Sequence, residues 1–233
     1  MRKLYYSPGT IALAPHILLC ELGEPFEVIR VTVAENVHKN YKTPEFLKVT
    51  ARGLVPVLST DSCTLTESVA IALHLAETAP EKQWLPPIGS DERARTYEWL
   101  AWLATTVLRS IGSVYRPEHI IDSEELYPPI RAFAERRLET FFGEIERAIS
   151  PGSAYFKGND LGVIDPFLLV FYRWGLEIGI DMSDFRRWKQ LTSTMLERPA
   201  VVEALDAEEI EIKGFPSPET HFKNDEKQTR SME

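Results

Sequence analysis

Apolar and polar positions follow two rhythms along this chain. Up to about residue 80, short runs rich in aromatic and β-branched residues alternate with stretches of helical spacing. "KLYYS", starting at Lys3, reads as a strand. Leu13 to Leu22 reads as a helix ended by Gly23, and "FEVIRVTV" as a second strand. "VPVLST" and "CTLTES", split by the turn-like "TDS", predict a hairpin. From Glu67 to Thr78, apolar Val69, Ala72, Leu73 and Ala76 recur at helical spacing. The order is β-α-β, a loop region, then β-β-α. A helix between two strands implies a parallel pair, and the hairpin adds an antiparallel edge.

"APEKQWLPPIGS" interrupts this pattern with prolines and reads as a linker. Beyond it only the helical rhythm remains. Glu92 to Ile111 carries Leu100, Leu103, Val107 and Ile111 on one face. Ile130 to Ile149 carries Ala134, Leu138, Phe141, Ile145 and Ile149 on another. Pro166 to Ile178 and Phe185 to Glu197 are two further helical stretches. The expected layout is an α/β unit over 1–80, a linker over 81–90, an all-α bundle over 91–212 and a mobile polar tail over 213–233. At "NDLGVIDPF", either Gly162 is the helix cap with Asp165 at the third position, or Asp165 is the cap and Pro166 the first helical residue. Proline's preference for the first position favours the second.

The 233 residues suffice for one large or two small cores, and 44% hydrophobic content fits a soluble globular protein. A net charge of −9, with no dense Lys/Arg run, argues against nucleic acid or an acidic membrane surface as partner. No apolar stretch reaches the roughly 20 residues of a membrane span, and "MRKLYYSPG" turns too early for a signal peptide. Cys20 and Cys63 form no CxxC pair and no disulfide framework. A reducing, cytoplasmic setting is the expectation. Cys20, among apolar residues, reads as core, and His16 as packing. No metal-ligand spacing, GxSxG, P-loop or GxGxxG is present.

Three short pieces carry chemistry. "YYSPGTIALAPHI" places a Pro-Gly turn before a helix, whose N-terminal N–H groups stabilise an anion. In "GLVPVL", Pro56 opens a strand, where the missing N–H is tolerated. A cis bond there exposes the N–H and C=O of Val55 to a peptide-like ligand; a trans proline merely starts the strand. In "TESVAI", Glu67 and Ser68 stand at a helix start. Free N–H groups and a hydroxyl suit a carboxylate there, and Glu67 suits an ammonium, so an α-amino acid end fits both. The alternative is an ordinary cap made by Thr66 or Ser68.

At these spacings, and ahead of an all-helical half, the three pieces resemble the cytosolic glutathione transferase superfamily over roughly residues 3 to 212. "FKGNDLGVIDPFLL" is similar to that family's capping segment, with Asp165 at its marker position. The pattern is nearest the bacterial beta class and its fungal relatives. The resemblance implies a thioredoxin-like first domain, a helical second domain, a homodimer, and glutathione as co-substrate without a metal. It makes Pro56 the cis proline, pairs Val55 with the cysteinyl backbone, and counts Leu54 and Pro56 among the glutathione-binding residues. It gives Glu67 and Ser68 the γ-glutamyl end, and His38 or Lys39 the glycyl carboxylate.

The sequence departs from that class at three polar positions. Its turn cysteine corresponds to Ile11, its helix histidine to Leu108, and a helix asparagine that reaches the partner's ligand to Ala101. Thiol activation then falls to a hydroxyl. Lowering a thiol pKa by two units from near 8.5 needs about 2.7 kcal/mol of preference for the thiolate. One hydrogen bond to the sulfur plus a helix N-terminus is of that order. Thr10 is the first candidate donor and Ser7 the second; Tyr6 precedes the turn and points to the core. Alternatively, Thr10 only caps the helix. Ile11, Leu108, Arg109, Ser113 and Arg116 are the expected walls of an electrophile pocket. Arg109 or Arg116 meets an anionic substituent there, or is a surface charge. The leading expectation is transfer of the glutathione thiolate to a hydrophobic electrophile, in detoxification. Its rivals are a glutathione-dependent isomerase, lyase or biosynthetic step, and a non-catalytic binder on the same fold.

Overall fold

The structure is a computed structural model that describes residues 1–31 and 43–215. Its first part is a mixed sheet of β1 (Arg2–Tyr6), β2 (Phe26–Arg30), β3 (Val57–Ser59) and β4 (Thr64–Thr66), ordered β2-β1-β3-β4. β1 and β2 are parallel. β3 runs antiparallel to β1, and β4 antiparallel to β3. Helices α1 (Leu13–Leu22) and α3 (Ser68–Thr78) pack on each other. The parallel pair and antiparallel edge follow the β-α-β, β-β-α order, and the arrangement is the thioredoxin-like one that the family resemblance implied.

α1 is apolar on every side, and Leu13 to Cys20 are all buried. A helix of that kind must be enclosed. α3 covers one side, and α7 (Asp165–Ile178) and α9 (Pro199–Ala207) cover others. Gly23 ends α1 in the left-handed region, at φ 71°, and donates to the Cys20 carbonyl. Cys20 is core, and burial pushes its thiol up to about 12.

The helical part also contains α4 (Asp91–Trp102), α5 (Leu108–Tyr115), α6 (Tyr127–Ala148) and α8 (Arg186–Leu196). The single helix expected over Glu92–Ile111 holds its buried face of Leu100, Leu103, Val107 and Ile111. Its middle, Leu103–Val107, is a π-helical turn, and the helix runs on to Tyr115. No helix among the described residues is long and apolar enough to cross a membrane.

Several expectations need correction. The loop region before β3 contains a six-residue helix, α2 (Pro44–Val49), capped by Thr43, whose hydroxyl accepts from Phe46 N–H. α9 was not anticipated. On α3 the buried stripe is Ile71, Ala72, Leu75 and Ala76, while Val69 and Leu73 are half-buried. On α6 Phe142 is buried and Phe141 half-buried. The linker is not loose at its centre, since Trp84 is buried. The expected tail begins with packed residues: Phe215 lies edge-on to Tyr172, with ring centroids 6.0 Å apart. Residues 216–233 and the end of "FEVIRVTV" lie outside the described residues.

Asp165 fits neither proposed cap fully. It is the first residue of α7, and its carboxylate points backwards to accept from Gly162 N–H (2.6 Å) and Phe156 N–H (2.8 Å). Pro166 follows at the second helical position. The reach back to Gly162 is the capping-box contact implied by the first option.

Candidate functional site

The register of the sheet assembles the site. Tyr5 pairs with Val57, and Val57 with Thr66. Continued past the strand ends, the two ladders set Ser7 beside Val55, and Val55 beside Ser68. The three sequence pieces therefore meet at one end of the sheet. The Val55–Pro56 bond is cis. Among the described residues, neither the N–H nor the C=O of Val55 has a hydrogen-bond partner. Leu54 is exposed and Val55 half-buried at this edge.

Glu67 lies at φ 70°, in the left-handed region, immediately before α3. Such a backbone is uncommon for a non-glycine residue and costs of order 1–3 kcal/mol. Its carbonyl accepts from Ile71 N–H, so the N–H groups of Ser68, Val69 and Ala70 are left over at the helix start. No side chain caps them, so the cap reading by Thr66 or Ser68 fails. Ser68 itself is buried. Sequence reasoning missed Arg52, whose guanidinium donates to Glu67 (3.0 Å) and to the Thr66 hydroxyl (2.6 Å). The only signal was a lone cation just before "GLVPVL". His38 and Lys39 lie outside the described residues.

The turn Ser7–Pro8–Gly9–Thr10 closes with Thr10 N–H donating to the Ser7 carbonyl. The Thr10 hydroxyl donates to that same carbonyl at 2.7 Å and accepts a long bond from Ala12 N–H. Its proton is thus used inside the turn. The Ser7 hydroxyl has no partner among the described residues. Tyr6 is buried, as expected, with its hydroxyl donating to the Ala207 carbonyl. Burial raises its phenol above the ordinary value, and Glu208 adds to the effect.

Sequence reasoning also missed a clamp on Gly9 from the helical part. The Gly9 N–H donates to Glu208 Oε2 at 3.0 Å. Its carbonyl accepts from the Arg173 guanidinium and from Trp174 Nε1. Glu208 and Arg173 are both buried. His16 donates from Nδ1 to the other oxygen of Glu208 at 2.9 Å, so it serves the clamp as well as packing. Burial pulls the Arg173 guanidinium below the ordinary arginine value, against the opposing pull of Glu177. Gly9 has φ 71°, and a Cβ there would lie 3.1 Å from Arg173. Glycine is required on both counts.

A polar chain runs from this clamp to α5. Arg173 donates to Glu177 Oε1 (2.9 Å), and Tyr115 donates to Glu177 Oε2 (3.1 Å). Burial, then Glu177, raises the Tyr115 phenol well above its ordinary value, so it stays protonated. Tyr115 shares α5 with Leu108, Arg109 and Ser113, and Arg116 follows it. Leu108 is half-buried against the core that holds buried Ile11. The Ser113 hydroxyl donates to the Arg109 carbonyl and is not free. Arg109 and Ala101 are exposed, and Arg116 is half-buried.

Among the described residues no three His, Cys, Asp or Glu side chains converge as a metal site. The site can hold an extended peptide-like ligand along Val55, take its amino acid end at Glu67 and α3, and place a sulfur at the turn before α1.

A family model described as "Glutathione S-transferase, N-terminal domain" matches residues 2–77. The chain is 32% identical over 207 residues to the glutathione S-transferase GstA of Escherichia coli O157:H7, covering 88% of this chain and 98% of that one. It is 33% identical to a glutathione transferase structure from Methylococcus capsulatus, at TM-score 0.76, covering 90% and 99% of the two chains. It is 32% identical to a sphingomonad glutathione S-transferase complexed with glutathione, at TM-score 0.75, covering 90% and 100%. With that identity sustained over nearly the whole of each relative, the chain belongs to the glutathione S-transferase family.

Proposed function

We propose that this protein binds glutathione and transfers its thiolate to a hydrophobic electrophile. What supports this reading is the sheet register, which, continued past Tyr5–Val57 and Val57–Thr66, brings Ser7, Val55 and Ser68 to one sheet end beside two helix starts. The cysteinyl backbone pairs with Val55, flanked by Leu54 and Pro56. The α-amino acid end meets Glu67, which Arg52 orients, and the free N–H groups at Ser68. His38 or Lys39 takes the glycyl carboxylate. The sulfur loses its proton to solvent and forms the new bond to carbon from its lone pair; in a substitution the carbon–leaving-group bond breaks and the group departs with that electron pair, and in an addition the electrophile's π pair moves onto the neighbouring atoms and takes up a proton from solvent. The electrophile lies against Ile11, Leu108, Arg109, Ser113 and Arg116.

The hydroxyl order is best reversed. Ser7 is the donor to the thiolate, because the Thr10 proton is engaged by the Ser7 carbonyl. Residues 1–80 bind glutathione, 91–212 supply the electrophile wall, and 81–90 connect them. The functional unit is a cytoplasmic homodimer, as the family likeness implies; sedimentation velocity checks the oligomeric state.

The test is a calorimetric titration with glutathione, paired with ultraviolet absorbance of the bound thiolate against pH. The expected result is a bound-thiol pKa well below the free value near 8.5, raised by about one unit in Ser7→Ala and little changed in Thr10→Ala. Binding with an unshifted pKa favours the second reading, a non-catalytic glutathione-binding protein. That reading is motivated by Ile11 and by the engaged Thr10 hydroxyl. Conjugate accumulation separates transfer from an isomerase or lyase, in which glutathione leaves again.

A further inference from the structure

The turn Ser7–Pro8–Gly9–Thr10 is closed by Thr10 N–H on the Ser7 carbonyl. Proline fixes φ at about −65° at the second position, and Gly9 sits at φ 71° at the third. Only a type II turn combines the two. The competing type I turn keeps the same ends but rotates the central Pro8–Gly9 peptide by about 180°. Glycine permits either form, so the local sequence does not choose between them.

The choice is made from the helical half. Glu208 Oε2 accepts from Gly9 N–H at 3.0 Å, and that N–H belongs to the peptide that would rotate. In the type I form it would turn away, and the Pro8 carbonyl would face a buried carboxylate. Glu208 is not free to follow. Its Oε1 is held by His16 at 2.9 Å. Its backbone ends α9 in a Schellman motif, in which Glu209 N–H donates to the Asp206 carbonyl and Ile210 N–H to the Leu205 carbonyl. Glu209 is the left-handed residue of that motif, at φ 58°. Arg173 and Trp174 Nε1 hold the next peptide by the Gly9 carbonyl. Glu208, Arg173 and Trp174 are all buried. Both bonds donated by Thr10 end on the Ser7 carbonyl, so a change of turn type swings residue 7 and its unengaged hydroxyl.

We propose that Glu208 is a positioning residue for the glutathione sulfur: it locks the turn in the type II form that presents the Ser7 hydroxyl to the thiolate, while Arg173 and Trp174 brace the following peptide. The inference rests on the glutathione site proposed above and adds to it a residue 199 positions from Gly9.

Charge and position act in opposite directions here, which makes the test specific. A buried anion near the turn disfavours a second anion at the sulfur, so loss of its charge alone lowers the bound-thiol pKa. Loss of position raises it, because the donor is misplaced. Glu208→Ala is expected to raise the pKa of bound glutathione by about one unit, read from ultraviolet absorbance of the thiolate against pH. Calorimetry at about pH 5, where the thiol is protonated, should show glutathione affinity changed by less than about threefold, since Val55, Glu67 and Ser68 are untouched. Glu208→Gln keeps an oxygen for Gly9 N–H and should lie at or below the parent pKa. Trp174→Phe removes one brace and should give a smaller rise. An unshifted thiol in the parent removes the proposed function, and this inference with it. A thiol shifted in the parent but unmoved or lowered in folded Glu208→Ala overturns this inference alone. So does a rise in Glu208→Gln equal to that in Glu208→Ala. If Glu208→Ala does not fold, an unmoved thiol in Trp174→Phe overturns it instead.

Discussion

Asp165 carries two opposed demands in one side chain. Burial pushes its carboxyl up to about 7, while the N–H groups of Gly162 and Phe156 pull it down. The folded value lies above that of the unfolded chain, so between the two the folded protein holds the extra proton. The stability this gives is fully present below the model-peptide value of 3.8 and is lost as pH rises through about 7. Denaturant unfolding at about pH 5 and about pH 8 should therefore show a difference that shrinks in Asp165→Asn. Asp165→Ala should cost about 3 kcal/mol at about pH 5, because two buried donors lose their acceptor, and less at about pH 8, where the proton-linked part of the carboxyl's contribution is already lost. The motif was legible as a helix start and one reading implied the reach to Gly162; the contact with Phe156 was not legible, because it is made across a loop. Gly9 makes the same point about reach. Gly9→Ala should lower stability by about 2 kcal/mol by denaturant midpoint, since it meets both a positive φ and the Arg173 guanidinium.

Elements with dense apolar periodicity could be read from the sequence. β1, α1, the β3–β4 hairpin and α6 fall within a few residues of expectation, because their patterns extend over whole turns or ladders. Short helices were harder. α2 and α9 have six and nine residues, too few turns to set up a recognisable stripe. The choice between Phe141 and Phe142 depends on how α6 meets α7 and α8, which periodicity alone does not determine. The contact of α6 with α7 is close at Gly175, where a Cβ would lie 2.7 Å from Met182 Sδ and 2.8 Å from Phe142 Cε2. Gly175→Ala should therefore destabilise by about 1–3 kcal/mol through overpacking, even though alanine is the better helix former. Urea midpoints of this variant against an alanine control at Gly143 would check it; there the only close atom is the movable end of Arg147.

At the scale of the whole molecule, the two halves are joined by paired polar groups as well as by apolar contact. Arg198, just ahead of α9, grips Glu21 of α1 through both carboxylate oxygens and also donates to the Tyr155 hydroxyl. Arg198→Met should lower stability by about 2 kcal/mol and leave Glu21 partly buried without its cation; thermal unfolding reads the loss. None of these pairs was visible in the sequence, since the partners lie 164 to 199 positions apart at Gly9 and 177 apart at Glu21. The grip on Gly9 bears on engineering. A first half grafted onto another relative's helices would keep its ladder and the Glu67 corner, but the Ser7–Thr10 loop would take its shape from the new host. The conformation of that loop in such chimaeras would track the donor of the helices.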